Sequence, residues 1–230
     1  MSNLSVTANI AKLLQRVRLA AQKSQRSNTD IRILAVSKTQ SIRAIREACD
    51  SGLREFGENY LQEAVEKILQ LDDLDLTWHF IGPIQTNKTR LIAQHFSWVH
   101  SVDRLKVARR LNDQRPPELP PMQVCIQVNT SGEASKSGVS LEMLSELAGE
   151  INKLPRLNLR GLMAIPAATN DPQEQRRAFA TLRRALEDLK AIAPNLDTLS
   201  MGMSGDMEAA IDEGSTLVRI GTGIFGPRNT

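Results

Sequence analysis

Eight short apolar segments alternate with segments of helical periodicity along the chain, and this alternation constrains the fold more than any other feature. The apolar segments, each interpreted as a strand, are 31–38, 54–59, 76–82, 98–103, 122–129, 157–165, 197–203 and 216–226. Their apolar residues are nearly continuous, which is typical of a parallel sheet covered by helices. Eight such units in 230 residues predict an α/β protein, a single closed (β/α)8 barrel. An open doubly wound sheet is the alternative.

The segment 1–29 precedes the first strand and contains no acidic residue. Transit peptides share this bias. However, apolar residues recur in it at helical spacing and form one stripe. They are Val6, Ile10, Leu13, Leu14, Val17 and Ala21. We therefore expect an amphipathic helix that packs on the barrel, within one domain spanning 1–230.

Charge and cysteine content exclude several classes of protein. The formal net charge is +3, and basic residues are interleaved with acidic ones, which disfavours a nucleic-acid partner. No apolar stretch approaches the length of a membrane span. Cys49 and Cys125 are far apart, and no Cys/His cluster has metal-ligand spacing. These features indicate a cytoplasmic protein without a disulfide framework, a metal site or a membrane anchor.

Two polar motifs follow the last two predicted strands. MSGD (203–206) comes after strand seven and opens a short helix, and GTG (221–223) comes after strand eight. In a (β/α)8 barrel, the loops after these strands commonly bind phosphate. Backbone N–H groups, hydroxyls and close-approaching glycines suit an anion. Each motif alone is also consistent with an ordinary turn or a capped helix.

Lys38 ends the first predicted strand, which neighbours strand eight in a closed barrel. It is either a solvated strand end or an amine held in the same pocket as the phosphate motifs. Partial burial beside cations would lower the pKa of its amine and favour Schiff-base formation. Arg219 lies within strand eight, where a buried guanidinium needs an acceptor such as a cofactor ring nitrogen.

These residues lie within motifs that resemble those of the pyridoxal phosphate homeostasis proteins, single-barrel relatives of alanine racemase. The motifs are AVSK (35–38), FGENY (56–60), WHFIGPIQTNK (78–88), VHSVD (99–103), RGLMAI (160–165), LSMGMSGDMEAAI (199–211) and VRIGTGIFG (218–226). The resemblance spans nearly all of the chain after the first helix.

The resemblance implies that Lys38 holds pyridoxal 5′-phosphate as an internal aldimine and that Arg219 faces the pyridine nitrogen. Asn59 is placed to reach the polar edge of the ring, or equally to cap the next helix. The residues expected around the phosphate are Ser204, Gly205, Gly221, Thr222 and Gly223. Met203, which precedes Ser204, is also expected to contact the cofactor.

The resemblance further implies a binding protein for intracellular cofactor and amino-acid balance, with no evident catalytic residue. A low-efficiency pyridoxal-phosphate-dependent racemase is the alternative. Alanine racemases add a second domain and a catalytic Tyr, whereas this chain ends four residues after Gly226 and its only tyrosine, Tyr60, favours a packing role. His79, His100 and Cys125 are weaker candidates for acid–base work, for which a structural role is preferred.

We expect a monomer whose partners are pyridoxal phosphate and, as receivers of it, pyridoxal-phosphate-dependent apoenzymes. The polar loop TSGEASKSG (130–138), on the same barrel face, is either a mobile cover or a docking surface that controls access to the site, or else an ordinary connection.

Overall fold

The computed structural model describes residues 5–131, 137–167, 169 and 171–227. The hypothesis of a cover at 130–138 depends largely on residues 132–136, which lie outside the described residues, so it stays a prediction.

Eight parallel strands form a closed barrel in the order β1 to β8, and β8 pairs with β1. The strands are Arg32–Val36, Glu55–Glu58, Thr77–Phe80, Trp98–Val102, Met122–Gln127, Leu157–Met163, Thr198–Ser200 and Leu217–Ile220. This arrangement confirms the predicted (β/α)8 barrel and rules out the open sheet. All carboxyl ends of the strands therefore meet at one mouth, to which the predicted site residues belong.

Helices precede, separate and follow the strands. In chain order, α1 to α9 are Val6–Lys23, Ile42–Asp50, Leu61–Gln70, Thr89–His95, Leu105–Gln114, Leu141–Ile151, Pro172–Leu189, Met207–Asp212 and Thr222–Phe225. The last of these differs from the sequence prediction, which assigned 216–226 to a strand and a loop. The GTG motif begins a short helix after β8 instead.

Local sequence explains where several helices begin. Ser5 and Ser41 accept hydrogen bonds from the backbone N–H groups of Ala8 and Ala44, and these bonds cap α1 and α2. Asp171 caps α7, whose first residue is proline, a residue well suited to that position because it needs no N–H partner there.

The N-terminal helix packs against α2, α8 and α9 on the outside of the barrel. Its buried residues are Ile10, Leu13, Val17, Ala20 and Ala21. Leu14, which the predicted stripe included, is 47% exposed, because the buried face is centred closer to Ala20. The helix ends at Lys23, and a 3-10 turn at Asn28–Asp30 leads into β1, so the segment 1–29 is only partly helical.

Polar bonds fix α1 and the segment just after it in place. Asn9 Nδ2 in α1 donates to the Ile224 carbonyl at 2.9 Å, and Arg26 Nη1, after the helix, donates to the Ile211 carbonyl at 2.8 Å. This N-terminal part of the chain therefore supports α8, which follows the MSGD motif, and α9, which begins within the GTG motif. The assignment of 1–230 to one domain stays a prediction.

A large apolar core fills the space between the sheet and the helices, while the barrel interior is more polar. Two small interior apolar clusters are Leu34 with Ile81 and Leu217, and Trp98 with Cys125 and Met163. In the part of the chain that the structure describes, no helix is long and apolar enough to cross a membrane.

Candidate functional site

A cavity of about 330 Å³ opens at the carboxyl ends of the strands. Its lining residues are Val36, Lys38, Asn59, Ile81, Ile165, Met203, Ser204, Gly205, Arg219, Gly221 and Thr222. The structure thus brings eight of the nine predicted site residues to one cavity, and Gly223 lies directly behind the lining. Its volume is within the usual range for small-molecule sites.

β1 ends at Val36, two residues earlier than the sequence predicts, but the in–out alternation of its side chains continues to Lys38 and explains why Lys38 faces this cavity. Side chains of a strand point to opposite faces in turn, so Val36 and Lys38 lie on one side of the chain and Ser37 on the other. Val36 and Lys38 line the cavity, whereas Ser37 is fully buried and bonds to Glu58. Lys38 is partly buried, which disagrees with a fully solvated strand end.

The two predicted phosphate loops are joined to each other. Ser204 Oγ accepts a hydrogen bond from the backbone N–H of Gly223 at 3.2 Å and one from Thr222 Oγ1 at 3.3 Å. A Cβ at Gly223 would lie 2.8 Å from Ile220 Cγ2, so only glycine allows this approach without a shift. A Cβ at Gly205 would meet nothing within 4 Å, so the backbone there faces open space. Together these loops form a small polar cradle open to the cavity.

Arg219 brings a buried positive charge to the cavity. Its residue is only 4% exposed, and burial lowers the pKa of the guanidinium to about 10, so it remains charged at neutral pH. It donates to the carbonyls of Ser200 and Ala164 and, at 2.9 Å, to Ser200 Oγ. Three of the five N–H groups of the Arg219 guanidinium therefore donate to protein atoms, so the protein itself meets part of the predicted need for an acceptor.

Asn59 presents a polar atom without a protein partner. Its Oδ1 is buried and has no hydrogen-bond partner among the described residues, although buried polar atoms are normally paired. The alternative role as a helix cap is wrong, because α3 begins at Leu61, its N-cap residue is Tyr60 rather than Asn59, and no side chain caps the helix. Such an atom at a cavity wall fits a ligand that brings a donor.

A buried ion cluster, which the sequence pattern does not reveal, consists of Glu58, Glu63 and Lys67. Lys67 Nζ lies 2.9 Å from Glu58 Oε1 and also contacts Glu63. Burial raises the pKa of the Glu58 carboxyl. The available signals were the i,i+4 spacing of Glu63 and Lys67 and an acidic residue at the end of a buried strand.

His79 and His100 lie inside the barrel, below the cavity. Both are fully buried, and their rings are linked through Nδ1 of His79 and Nε2 of His100, 2.9 Å apart. Burial holds the pKa of each ring well below 6.5. Burial also raises the pKa of the Cys125 thiol to about 12. None of the three lines the cavity as described, which agrees with the structural role preferred for them.

Tyr60 does not have the packing role that the sequence favours, since it is 53% exposed. It is also outside the cavity lining. The described residues contain no group of three or more His, Cys, Asp or Glu side chains that could hold a metal ion.

A second cavity, of about 380 Å³, lies between α1, α7 and α8. Four of its six charged side chains form ion pairs: Arg16 lies 2.7 Å from Glu208, and Arg176 lies 2.6 Å from Asp212. This cavity is therefore a weaker candidate for a ligand site than the barrel mouth.

The barrel and its cavity can be compared with known proteins. Residues 8–229 match the family described as alanine racemase, N-terminal domain. A pyridoxal phosphate homeostasis protein of Pseudomonas aeruginosa is 60% identical over 225 residues, which cover 98% of this chain and 96% of that protein.

Solved structures show the same relationship. The structure of PipY of Synechococcus elongatus PCC7942, with PLP bound, gives a TM-score of 0.79 at 38% identity and covers 91% of this chain and 98% of that one. Alanine racemase from Corynebacterium glutamicum gives a TM-score of 0.72 at 17% identity, over 97% of this chain and 61% of its own. This last likeness shows the shared fold alone.

The fold and the position of the cavity define a class, the parallel barrels of the alanine racemase N-terminal type. Within this class, the chain belongs to the family of pyridoxal phosphate homeostasis proteins, and the resemblance seen in the sequence is confirmed.

Proposed function

We propose that this protein binds pyridoxal 5′-phosphate in the cavity at the barrel mouth and serves the intracellular balance of that cofactor. The observation that carries the proposal is the placement of Lys38, Arg219 and the Ser204 cradle around one cavity of suitable size. The bound cofactor in the structure of PipY and the names of the related proteins support it.

The groups in the cavity match the parts of this cofactor. The Ser204 hydroxyl and the open backbone at Gly205 suit a phosphate, as do Gly221, Thr222 and Gly223 beside them. Arg219 would face the pyridine nitrogen as a donor, which leaves that nitrogen unprotonated. The unpaired Oδ1 of Asn59 would accept from a donor on the ring. Met203 and Ile165 supply exposed apolar surface at the rim.

Lys38 would hold the cofactor covalently. Pyridoxal phosphate supplies an aldehyde, which condenses with a primary amine to a C=N bond and releases one water. Lys38 brings its amine into the cavity from β1, and the cradle fixes the other end of the ligand. Reversal of the condensation would release the cofactor to acceptor apoenzymes.

We further propose that the role is not catalytic. Racemisation needs a second acid–base group on the face of the cofactor opposite the lysine. His79, His100 and Cys125 are buried inside the barrel rather than placed at the cavity, and burial keeps the thiol protonated. A low-efficiency racemase is the competing function.

A spectroscopic titration combined with a turnover assay tests this proposal. Purified protein is titrated with pyridoxal phosphate while the visible Schiff-base absorption is recorded, and the loaded protein is then incubated with L- and D-alanine. We expect a saturable band at one cofactor per chain and no interconversion of the enantiomers. The absence of both a band and saturable binding would refute the binding role, and enzyme-dependent interconversion would establish the racemase instead.

A further inference from the structure

The buried ion cluster of Glu58, Glu63 and Lys67 lies on the outer side of the barrel wall, between the strand ends of β1 and β2 and the helix α3. Glu58 is fully buried and Lys67 is 5% exposed, while the side chain of Glu63, at the outer edge of the cluster, is 31% exposed. Strand alternation directs Glu58 away from the cavity, whereas the next residue, Asn59, faces it. The cluster is therefore separated from the cavity by the barrel wall and does not line it.

This cluster binds the residue before Lys38 at two points. Lys67 Nζ donates to the Ser37 carbonyl at 2.7 Å, and Ser37 Oγ donates to Glu58 Oε1 at 2.6 Å. Hydrogen bonds to charged groups are stronger than neutral ones, and they are least exposed to competition from water when buried.

The same cluster binds the residue after Lys38. The backbone N–H of Thr39 donates to Glu63 Oε1 at 2.6 Å. Thr39 has φ of +62°, in the left-handed region, where a β-branched residue is strained. Residues remain in such conformations only when the surroundings hold them there. The Glu63 carboxylate, itself bound to Lys67, contributes to that restraint through an exposed bond, and the turn closed by Gln40 N–H donating to the Ser37 carbonyl at 3.0 Å contributes as well.

We propose that the buried ion cluster is a positioning device for Lys38, with Lys67 as its central positioning residue. It holds the backbone on both sides of Lys38 and so fixes the direction in which the amine enters the cavity. This inference rests on the proposed function, because it assumes that Lys38 reacts with an aldehyde. A reacting group displaced by about 1 Å can lose about 100-fold in rate, so the position of Lys38 matters for condensation more than for folding.

The test uses changes within the cluster and a matched control outside it. Lys67→Met removes the bond to the Ser37 carbonyl and Glu63→Leu removes the bond to the Thr39 N–H, so each weakens the restraint, while Glu63→Gln keeps a side-chain oxygen for the Thr39 N–H. The control is Arg115→Met, since Arg115 is also a buried cation that donates to backbone carbonyls, those of Ala93 and Phe96, at the opposite end of the barrel.

Four quantities are measured for each variant. The first is the rate of Schiff-base formation with pyridoxal phosphate, followed by stopped-flow absorbance. The second is the affinity for pyridoxamine 5′-phosphate, which has the same ring and phosphate but no aldehyde. The third is hydrogen exchange at the Thr39 amide in the ligand-free protein, and the fourth is the melting temperature.

We expect Lys67→Met and Glu63→Leu to slow Schiff-base formation by about tenfold or more, with the affinity for pyridoxamine 5′-phosphate changed by less than about twofold. Exchange at the Thr39 amide should accelerate in both. Glu63→Gln should retain a rate near that of the parent, and Arg115→Met should lower the melting temperature without slowing the condensation.

Wild-type rates in both cluster variants, with a loss of stability like that of Arg115→Met, would show a purely structural cluster and overturn the inference. If Lys67→Met does not fold, Glu63→Leu decides alone, because the Glu63 side chain is 31% exposed and its replacement is tolerated more readily. A parent protein that binds pyridoxamine 5′-phosphate but never forms a Schiff base would refute the role of Lys38 in the proposed function, and the inference with it. The two failures are thus distinguishable.

Discussion

Arg219 Nη1 donates to Ser200 Oγ at 2.9 Å, and this bond begins a polar chain through the barrel interior. Ser200 Oγ accepts from Arg219, and we assign its own hydrogen to the bond with Nδ1 of His100, 2.8 Å away. In this tautomer His100 donates from Nε2 to His79 Nδ1 at 2.9 Å. This polarity leaves a hydrogen on His79 Nε2, which faces Glu55 Oε2 at 3.7 Å. The cation of the candidate site is thus supported by two neutral histidines.

The two histidines predict that the protein loses stability on mild acidification. Burial holds both folded-state pKa values well below 6.5, so below that pH the unfolded chain takes up protons that the folded chain does not. Stability is therefore full above pH 6.5 and falls as the pH drops. The loss is about 1.4 kcal/mol per pH unit for each histidine, until the folded pKa is reached.

Urea unfolding at pH 7.5 and pH 5.5 measures this loss, and a His79→Leu/His100→Leu double variant isolates it. The raised pKa of the Glu58 carboxyl has the opposite effect, since it stabilises the folded state as the pH falls. Glu58 is present in both the parent and the double variant, so its contribution cancels in the comparison. We expect the double variant to lose less stability between the two pH values than the parent. Equal losses of unfolding free energy in the parent and the double variant would contradict the role of the two histidines in this pH dependence.

Replacement of Arg219 should weaken cofactor binding. Arg219→Met removes three hydrogen bonds and the only charge argued to face the ring, so we expect the dissociation constant of pyridoxal phosphate in equilibrium dialysis to rise by about tenfold or more. Arg219→Lys should not restore it, because an ammonium lacks the planar fork of donors. Arg160→Met is the control, since Arg160 stacks on Trp98 away from the cavity. An Arg219→Met dissociation constant within about twofold of the parent value would count against this role.

Two glycines of the cradle should respond differently to a methyl group. At Gly223 the added Cβ meets Ile220 Cγ2 at 2.8 Å, so Gly223→Ala should reduce the free energy of unfolding by about 1–3 kcal/mol. At Gly205 the Cβ meets no protein atom within 4 Å, so Gly205→Ala should leave the ligand-free stability nearly unchanged. It should still weaken cofactor binding, because the methyl group enters space assigned to the phosphate. Unaltered affinity in Gly205→Ala would place the phosphate elsewhere.

The site should be complete in one chain. Every residue assigned to the cofactor comes from a single barrel mouth. We expect sedimentation velocity to show a monomer that retains pyridoxal phosphate at low micromolar concentration. Cofactor loss in step with dissociation of a dimer would show that a second chain contributes to the site.

The sequence predicts the barrel well because its strands are continuous apolar runs separated by periodic helices. It also predicts the position of Lys38, since strand order alone places β1 beside β8. It does not reveal the contacts of Glu58, because a strand end does not show which helix residue packs against it. Leu14 and Tyr60 are both more exposed than the sequence predicts. Leu14 lies at the edge of the helical stripe, where periodicity fixes the buried face only roughly, whereas Tyr60 precedes α3 and no periodicity indicates the direction of its side chain.

Identification of the lysine that carries the cofactor tests the central claim most directly. The protein is loaded with pyridoxal phosphate, reduced with borohydride and digested, and the modified peptide is sequenced by mass spectrometry, with Lys38→Ala and the exposed-site control Lys106→Ala treated in parallel. We predict one reduced pyridoxyl group per chain on Lys38 in the parent and in Lys106→Ala, and none above background in Lys38→Ala. A pyridoxyl group on another lysine of the parent protein, retained at full stoichiometry in Lys38→Ala, would contradict the account.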